Sequence, residues 1–178
     1  MLANTLPFPR GQTWCDGQVT PDATTAKQLL GKVYEVTDSV HLTGRTVKLR
    51  VVKNDGSALT VARKAVAYGT AALDFGRYIK GYNASAGGSA VLIDNAYAVG
   101  QVIAASDLFY VIEEGPTTIL SSSAAATFAA QAELAVAAGG RLTTVAATTG
   151  QFSLGRIDEA CATTSATVVV HAHPPNQT

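Results

Sequence analysis

The stretch Ser106-Asp107-Leu108-Phe109-Tyr110-Val111-Ile112-Glu113-Glu114-Gly115-Pro116 holds the densest group of large apolar residues in the chain. Five consecutive large residues are too few for a buried helix, and aromatic and β-branched side chains favour strands. The Gly115-Pro116 pair is a typical breaker of regular structure. We therefore predict a central β-strand that is buried on both faces and stops at this glycine.

The overall composition favours a single domain that associates with other protein surfaces. The chain has 178 residues, with 13 basic and 13 acidic residues and a net charge of zero. Nothing in that balance argues for nucleic acid or an anionic membrane, and neutrality gives little protection against self-association. Charged residues make up only 15% of the chain, against about a quarter in typical proteins. We expect a homo-oligomer whose weakly polar surface is covered by a partner.

No membrane span and no signal peptide are predicted. The long charge-free runs, 115–132 and 160–178, contain Pro, Ser, Thr or His and would be poor spans. The first ten residues have neither a basic start with a long apolar stretch nor a cleavage-site pattern. Cys15 and Cys161 lie far apart in sequence, so a disulfide between them is possible but unsupported.

Residues 1–30 are predicted to form an extended N-terminal arm. They show no strand or helix period, and three prolines in the segment forbid regular pairing. The only Trp of the chain, Trp14, lies among apolar residues that are spaced like anchors. A loose terminus is the alternative. We favour an arm that orders on a neighbouring molecule, because Trp is enriched among residues that carry binding energy.

The next segment predicts a β-hairpin. Residues 45–53 alternate apolar with charged side chains, and Asp55-Gly56 tolerates the backbone angles of a tight turn. Residues 58–64 should then return antiparallel. Residues 45–64 carry six basic residues and one acidic, whereas 65–120 carry two basic and five acidic. We expect the basic hairpin to face an acidic protein surface and not nucleic acid, since stacking aromatics are missing there. The alternative is that these Lys and Arg residues only solubilise exposed or edge strands.

Further strands complete the predicted fold. Two more strands are expected within 65–105, a short helix or an Ala-rich loop at 121–134, and strands at 142–145, 152–157 and 167–171. The fold class is therefore mainly β, a small sandwich or barrel-like domain with an extended N-terminal arm and at most one short helix. The predicted divisions are the arm at 1–30, a β-rich body at 31–173 and a C-terminal tail at 174–178.

The sequence predicts no catalytic, cofactor-binding or metal site. His171 and His173 would share one strand face, but a third ligand is missing and two prolines follow. The acidic pairs Glu113-Glu114 and Asp158-Glu159 should point to opposite sides of their strands and be solvated. Nucleophile-elbow, phosphate-loop and dinucleotide-binding patterns do not occur, and His41 belongs to no recognisable triad pattern. We expect that the chain is not an enzyme.

The second half of the chain resembles the capsid cement, or head decoration, proteins of tailed bacteriophages. The resemblance lies in the order of features in residues 31–172: a strand at Ser106–Val111, the Ala-Gly segment Leu134–Leu142, the return Phe152–Ala160 and the final Val-rich strand Thr167–Val170. Arg156-Ile157-Asp158 stands where that family commonly has small apolar residues.

The resemblance implies a virion structural protein that binds the outside of the major capsid protein shell and stabilises it. It also implies a trimer, synthesis in the host cytoplasm, and residence on the capsid exterior without contact with membrane or nucleic acid. The alternatives are another phage structural component, such as a tail or connector protein, and a β-rich enzyme or ligand-binding domain.

Overall fold

A computed structural model describes residues 6–14, 27–38, 44–60, 64–69, 76–82, 90–94, 102–120, 128–144, 154–158 and 167–172. The described strands are β1 (Val33–Thr37), β2 (Thr46–Asn54), β3 (Ala65–Tyr68), β4 (Tyr78–Tyr82), β5 (Ala90–Ile93), β6 (Leu108–Leu120), β7 (Leu134–Ala137), β8 (Arg141–Thr144), β9 (Gly155–Ile157) and β10 (Thr167–Ala172). Within these residues, helix is confined to a turn at 27–29 and a 3-10 turn at Ala138–Gly140. The prediction of a mainly β fold is confirmed.

Five of the strands close into a barrel. Around the ring, β2 pairs with β4, β4 with β3, β3 with β5, β5 with β6, and β6 returns to β2. All these pairings are antiparallel except the short parallel contact between β2 and β4. Closure leaves the ring without a free edge, which removes the unpaired backbone groups of an open sheet. Of the two predicted architectures, the structure has the barrel.

The barrel interior is filled with side chains. Each ring strand contributes to one buried cluster, and two residues from the flanking segments, Leu59 and Ile103, complete it. The members from the strands are Val52, Val66, Tyr68, Ile79, Val91, Ile93, Phe109 and Val111. Leu59 and Ile103 exchange two backbone hydrogen bonds of 2.9 Å. A small barrel of this kind has a packed core and not a channel.

A second apolar layer covers the outside of the barrel at β2 and β6. The residues of these strands that alternate with the interior positions, such as Leu49 and Tyr110, face it. Phe8 and Leu29 from the N-terminal segments, Phe128, and residues of β7, β9 and β10 pack onto the same face. Strand β6 is therefore buried on both faces, as its continuous apolar run predicted.

Strand β6 does not stop at Gly115-Pro116 as predicted. It continues for 13 residues to Leu120 because it changes partners: up to Glu114 it pairs with β2, and from Gly115 onward it pairs with β10. Gly115 has a φ of 115°. At Pro116 the strand has one described neighbour, β10, because the pairing with β2 ends at Glu114. Proline is tolerated at such an edge position, where one side of the strand has no partner strand among the described residues.

The predicted hairpin at Asp55-Gly56 is wrong. Residues 58–60 do not pair with β2, because both edges of β2 are already occupied, by β1 and β4 on one side and by β6 on the other. Gly56 instead packs against the backbone of Lys80 in β4, where a Cβ atom would lie 2.3 Å from the carbonyl oxygen. The local turn preference therefore loses to strand pairing between distant segments.

The predicted arm is corrected for the part of it that the structure describes. Residues 6–14, which we call the N-terminal strap, lie on this chain's own barrel and do not wait for a partner to bury their apolar side chains. Phe8 is buried, and Leu6 and Trp14 pack against the outer apolar layer. Residues 1–5 and 15–26 lie outside the described residues.

The remaining expectations divide between confirmed and corrected. Segment 65–105 forms three strands, β3 to β5, and not two. Residues 128–134 form a bridge and turn that lead into β7 and not a helix, while 121–127 lie outside the described residues. Strands β8, β9 and β10 confirm the last three predicted strands. Cys15, Cys161 and the tail at 174–178 also lie outside. No helix among the described residues is long and apolar enough to span a membrane.

Candidate functional site: a charged cluster at the barrel seam

The barrel has a seam where β1 and β4 follow one another along the same edge of β2. Strand β1 pairs with β2 as far as Arg50, and β4 pairs with it from Lys53. Arg50 spans this gap, because its Nη1 donates a hydrogen bond of 2.9 Å to the carbonyl oxygen of Gly31. On the other side a Cβ atom on Gly76 would lie 3.1 Å from the same nitrogen. The guanidinium therefore joins the chain segments that precede β1 and β4.

Two carboxylates of β6 meet the basic residues of β2 at this seam. Arg50 pairs with Glu113, and Lys48 Nζ lies 2.6 Å from Glu114 Oε2. In a regular strand Glu113 and Glu114 would face opposite sides, as predicted from sequence. The register between β2 and β6 shifts beside Lys48, so a β-bulge brings both carboxylates to residues two apart on β2. The prediction that these acids are solvated on opposite faces is wrong for that reason.

These four residues and Tyr68 form what we call the seam cluster. The Arg50 and Glu113 side chains are 24% and 16% exposed, whereas those of Lys48 and Glu114 are 38% and 39% exposed. The hydrogen bond that the Lys48 ammonium donates to the Glu114 carboxylate raises the pKa of Lys48. Burial works against the charged form of Arg50, but the hydrogen bond and charge of Glu113 outweigh it and raise the pKa. Each cation is matched by one carboxylate, so the cluster ties strands together.

Tyr68 gives the seam cluster a buried phenol. It is 2% exposed, and burial, followed by the nearby charge of Glu113, raises its pKa well above the ordinary value of 10.0. Burial likewise raises the pKa of Tyr110 on the opposite side of the β2–β6 wall. Since both phenols stay protonated in the folded protein longer than in the unfolded chain, each contributes stability below pH 10 that is lost as the pH rises further.

We expect Tyr68→Phe to make the protein less sensitive to alkali. Above pH about 10 the unfolded state releases a proton that the folded state keeps, which lowers the free energy of unfolding with a slope that approaches about 1.4 kcal/mol per pH unit for each such tyrosine. Between pH 10 and 11, where the unfolded phenol is only partly ionised, the slope measured by urea titration should be smaller by about 1 kcal/mol per pH unit in the variant. Urea titration of the same variant at pH 7 measures what the hydroxyl contributes apart from ionisation. An unchanged alkaline slope would contradict the assignment.

A second polar network lies at the opposite end of β2. Asn54 is fully buried, and its Nδ2 donates to the carbonyl oxygens of Ser57, Ile103 and Ala104, each at 3.1 Å. Its Oδ1 accepts from the N–H of Gly56 at 3.2 Å. The Asp107 carboxylate accepts from the N–H of Ala104 at 2.9 Å. The Asn54 amide therefore holds together the segment that contains Ser57 and the segment that contains Ile103 and Ala104, and these two segments close this end of the barrel.

A third polar contact fixes the N-terminal strap. Arg10 Nε lies 3.0 Å from Asp94 Oδ1 and 3.1 Å from Oδ2, and the Asp94 side chain is fully buried. The Phe8 ring stacks on Tyr110 with 4.2 Å between ring centroids. Tyr110 Oη donates to the Phe8 carbonyl oxygen at 2.8 Å. Trp14 forms an antiparallel bridge with Leu108, the first residue of β6.

The other residues considered from sequence are placed as follows. His171 lies in β10 opposite Pro116 and Arg156, and its expected neighbour His173 lies outside the described residues. Asp158 is not simply solvated, because it pairs with Arg45 at 3.6 Å. Glu159 and His41 fall outside the described part of the chain. Among the residues that are described, no three His, Cys, Asp or Glu side chains lie together as metal ligands would.

Three polar residues that no sequence pattern marked as functional, Asn54, Asp94 and Asp107, hold these contacts together. All three are buried. Each adjoins a strongly apolar strand: Asn54 ends β2, Asp94 follows β5 and Asp107 precedes β6. A short polar residue at the end of a buried strand is a signal for such a role, because a buried polar group must find hydrogen-bond partners. Its partners lie too far along the chain to be named from sequence.

Comparison with known proteins adds a distant structural similarity. No protein family model and no curated protein matches the chain. Among solved structures, the chain is similar to the N base of head fiber gp8.5 in bacteriophage phi29, with a TM-score of 0.44 and 11% sequence identity. The alignment covers 73% of this chain and 97% of that chain.

Proposed function

We propose that the chain is a structural protein of a bacteriophage virion, which binds the outside of the major capsid protein shell and stabilises it. One observation carries the proposal. Three of the four segments on which the resemblance to capsid decoration proteins rests lie side by side, because β10 pairs with β9, and Glu133, next to β7, bridges to Arg156 in β9. The fourth, the first half of β6, pairs with β2 and β5, and its continuation Gly115–Leu120 pairs with β10. Features scattered over the second half of the sequence thus form one unit, which we call the C-terminal lobe (β7–β10).

The use of charge supports a binding role and not a catalytic one. Six ion pairs within the described residues join two elements that are distant in sequence, such as β2 with β6, or the strap with the end of β5. Such pairs resist separation of the strands on which they lie, although an exposed pair contributes only about 0–1 kcal/mol. In this proposal the protein stabilises a particle by clamping neighbouring shell subunits.

The proposal includes self-association. With few charges and short strands, burial of further surface between copies and against the shell is the natural way to add stability. A homo-oligomer, with a trimer suited to threefold junctions of a shell, is the form we propose. The expected effect of alkali on Tyr68 does not depend on self-association. The ion pairs of Lys48 and Arg50 lie within one chain and do not depend on it either.

Reversal of one surface pair tests whether the C-terminal lobe faces the shell. Glu133 and Arg156 are 48% and 58% exposed, with 3.4 Å between Oε1 and Nη2. The double variant Glu133→Arg, Arg156→Glu keeps an ion pair but reverses the charge pattern of the lobe. We expect the amount that cosediments with shells of the same virus, at subsaturating protein, to fall several-fold, because charge patterns set encounter rates and exclude wrong partners.

The matched control reverses the exposed pair of Lys80 in β4 and Asp55, which lies on the barrel away from the lobe. The variant Asp55→Lys, Lys80→Asp should cosediment as the natural protein does. Shells saturated with natural protein should also withstand a higher temperature than bare shells. Failure of the natural protein to cosediment with shells in a fixed ratio, together with equal heat resistance, would overturn the proposed function.

A further inference from the structure

The N-terminal strap is a separable part of the fold. No strap residue belongs to the barrel interior, and the strap meets the body from outside, with polar contacts to β6 and to the end of β5. Its partners lie far away in sequence, since Asp94 is 84 positions from Arg10 and Tyr110 is 102 positions from Phe8. The closed ring of five strands does not need the strap for closure.

The surface beneath the strap, in contrast, needs an occupant of a particular chemistry. Without the strap, the Asp94 carboxylate and the Tyr110 hydroxyl, now buried, would lose their partners at Arg10 and Phe8. A carboxylate left without its cation in a buried site is strongly unfavourable. The occupant must supply an aromatic ring and a backbone carbonyl, followed along the chain by a guanidinium, as the strap sequence Phe8-Pro9-Arg10 does.

The chain between the strap and the body is long enough to let the strap reach another molecule. Twelve residues, 15–26, separate Trp14 from Lys27. A segment of that length spans up to roughly 40 Å when extended. A chain of this size has a radius of gyration of about 16 Å, so that reach is comparable with the diameter of the body. The same contacts are therefore geometrically available to the strap of a second copy.

We propose that the strap exchanges between copies, so that Arg10 of one chain pairs with Asp94 of another. This inference rests on the self-association in the proposed function and names the contact that carries it. Exchange of an identical element creates no new type of contact, and its balance is set by concentration. Within one chain a connection of this length holds the strap at an effective concentration of roughly the millimolar range, so exchange is favoured where copies are crowded, as on a particle.

Complementary charge reversal distinguishes exchange from attachment within one chain. In Arg10→Glu a carboxylate faces Asp94, and in Asp94→Lys a cation faces Arg10, so neither variant can close its own strap. In a mixture, the strap of each variant matches the body of the other. We expect native mass spectrometry of the mixture at micromolar concentration to show at least tenfold more 1:1 dimer than either variant forms alone.

The double variant, Arg10→Glu with Asp94→Lys, is the matched control and should behave as the natural chain does, because it restores a pair within one molecule. If the single variants do not fold alone, they are refolded together, and recovery of a folded 1:1 dimer supports exchange equally. If the two single variants fold but form no 1:1 dimer when mixed, the inference is overturned. It is also overturned if the double variant folds while joint refolding of the two single variants gives no folded dimer. Since no shell is present, such a result would leave capsid binding standing.

Discussion

Gly115→Ala is expected to lower the free energy of unfolding by about 2–5 kcal/mol, through backbone strain and overpacking together. Gly115 has a φ of 115°, which other residues rarely adopt. A Cβ atom there would lie 2.8 Å from the carbonyl oxygen of Thr46 and 3.0 Å from the Cα of Val47. These are backbone atoms of β2, which cannot move aside without disturbing the pairing of β2 with β6.

Urea unfolding followed by circular dichroism measures this effect, and Gly81→Ala is the matched control. Gly81 lies in β4 with a φ of 150°, and a Cβ atom there would meet nothing within 4 Å. The control variant carries the backbone strain without the contact, so its loss should stay near 1–3 kcal/mol. Equal losses in the two variants would show that the approach of β6 to β2 at Gly115 is not tight.

Asn54→Asp is expected to destabilise the protein by about 3 kcal/mol or more at neutral pH, although the two side chains have nearly the same shape. The Asn54 amide donates to three carbonyl oxygens in a fully buried position. A carboxylate has no hydrogen to donate and would face those oxygens with a negative charge. Removal of one partner from a buried hydrogen bond costs about 1–3 kcal/mol, and more when a charge is left.

The loss should shrink at acidic pH, because a protonated carboxyl regains one donor. Urea unfolding at pH 7 and pH 4 therefore tests whether the donor, and not the shape, of Asn54 matters. Ser57→Ala is the control, because Ser57 is exposed and takes part in this network through its backbone oxygen, which the substitution keeps. It should change the stability by less than about 0.5 kcal/mol. A small effect of Asn54→Asp at pH 7 would contradict the role given to the amide.

The charge pattern of the sequence has an explanation that the sequence alone concealed. The excess of basic residues in 45–64 and of acidic residues in 65–120 suggested a basic surface that meets an acidic partner. The structure pairs Lys48 and Arg50 with Glu114 and Glu113 of the same chain. Basic and acidic residues that are separated along the chain neutralise one another in the folded protein, because β2 and β6 are neighbours in the barrel although about sixty residues separate them.

The mainly β class, strand β2, the central position of β6 and the last three strands could all be predicted from the residues alone, because alternation and dense apolar runs are local patterns. Closure of the ring between β2 and β6 and the continuation of β6 through Gly115-Pro116 depend on pairing between distant strands. The absence of a hairpin at Asp55-Gly56 and the position of the strap on its own body depend on such distant contacts as well. Turn and breaker preferences are worth about 1 kcal/mol each, whereas strand partners and buried polar contacts between distant residues contribute more in sum. Turn and breaker preferences can be read from neighbouring residues in the sequence. Contacts between distant residues cannot, because the partners of each residue lie far along the chain.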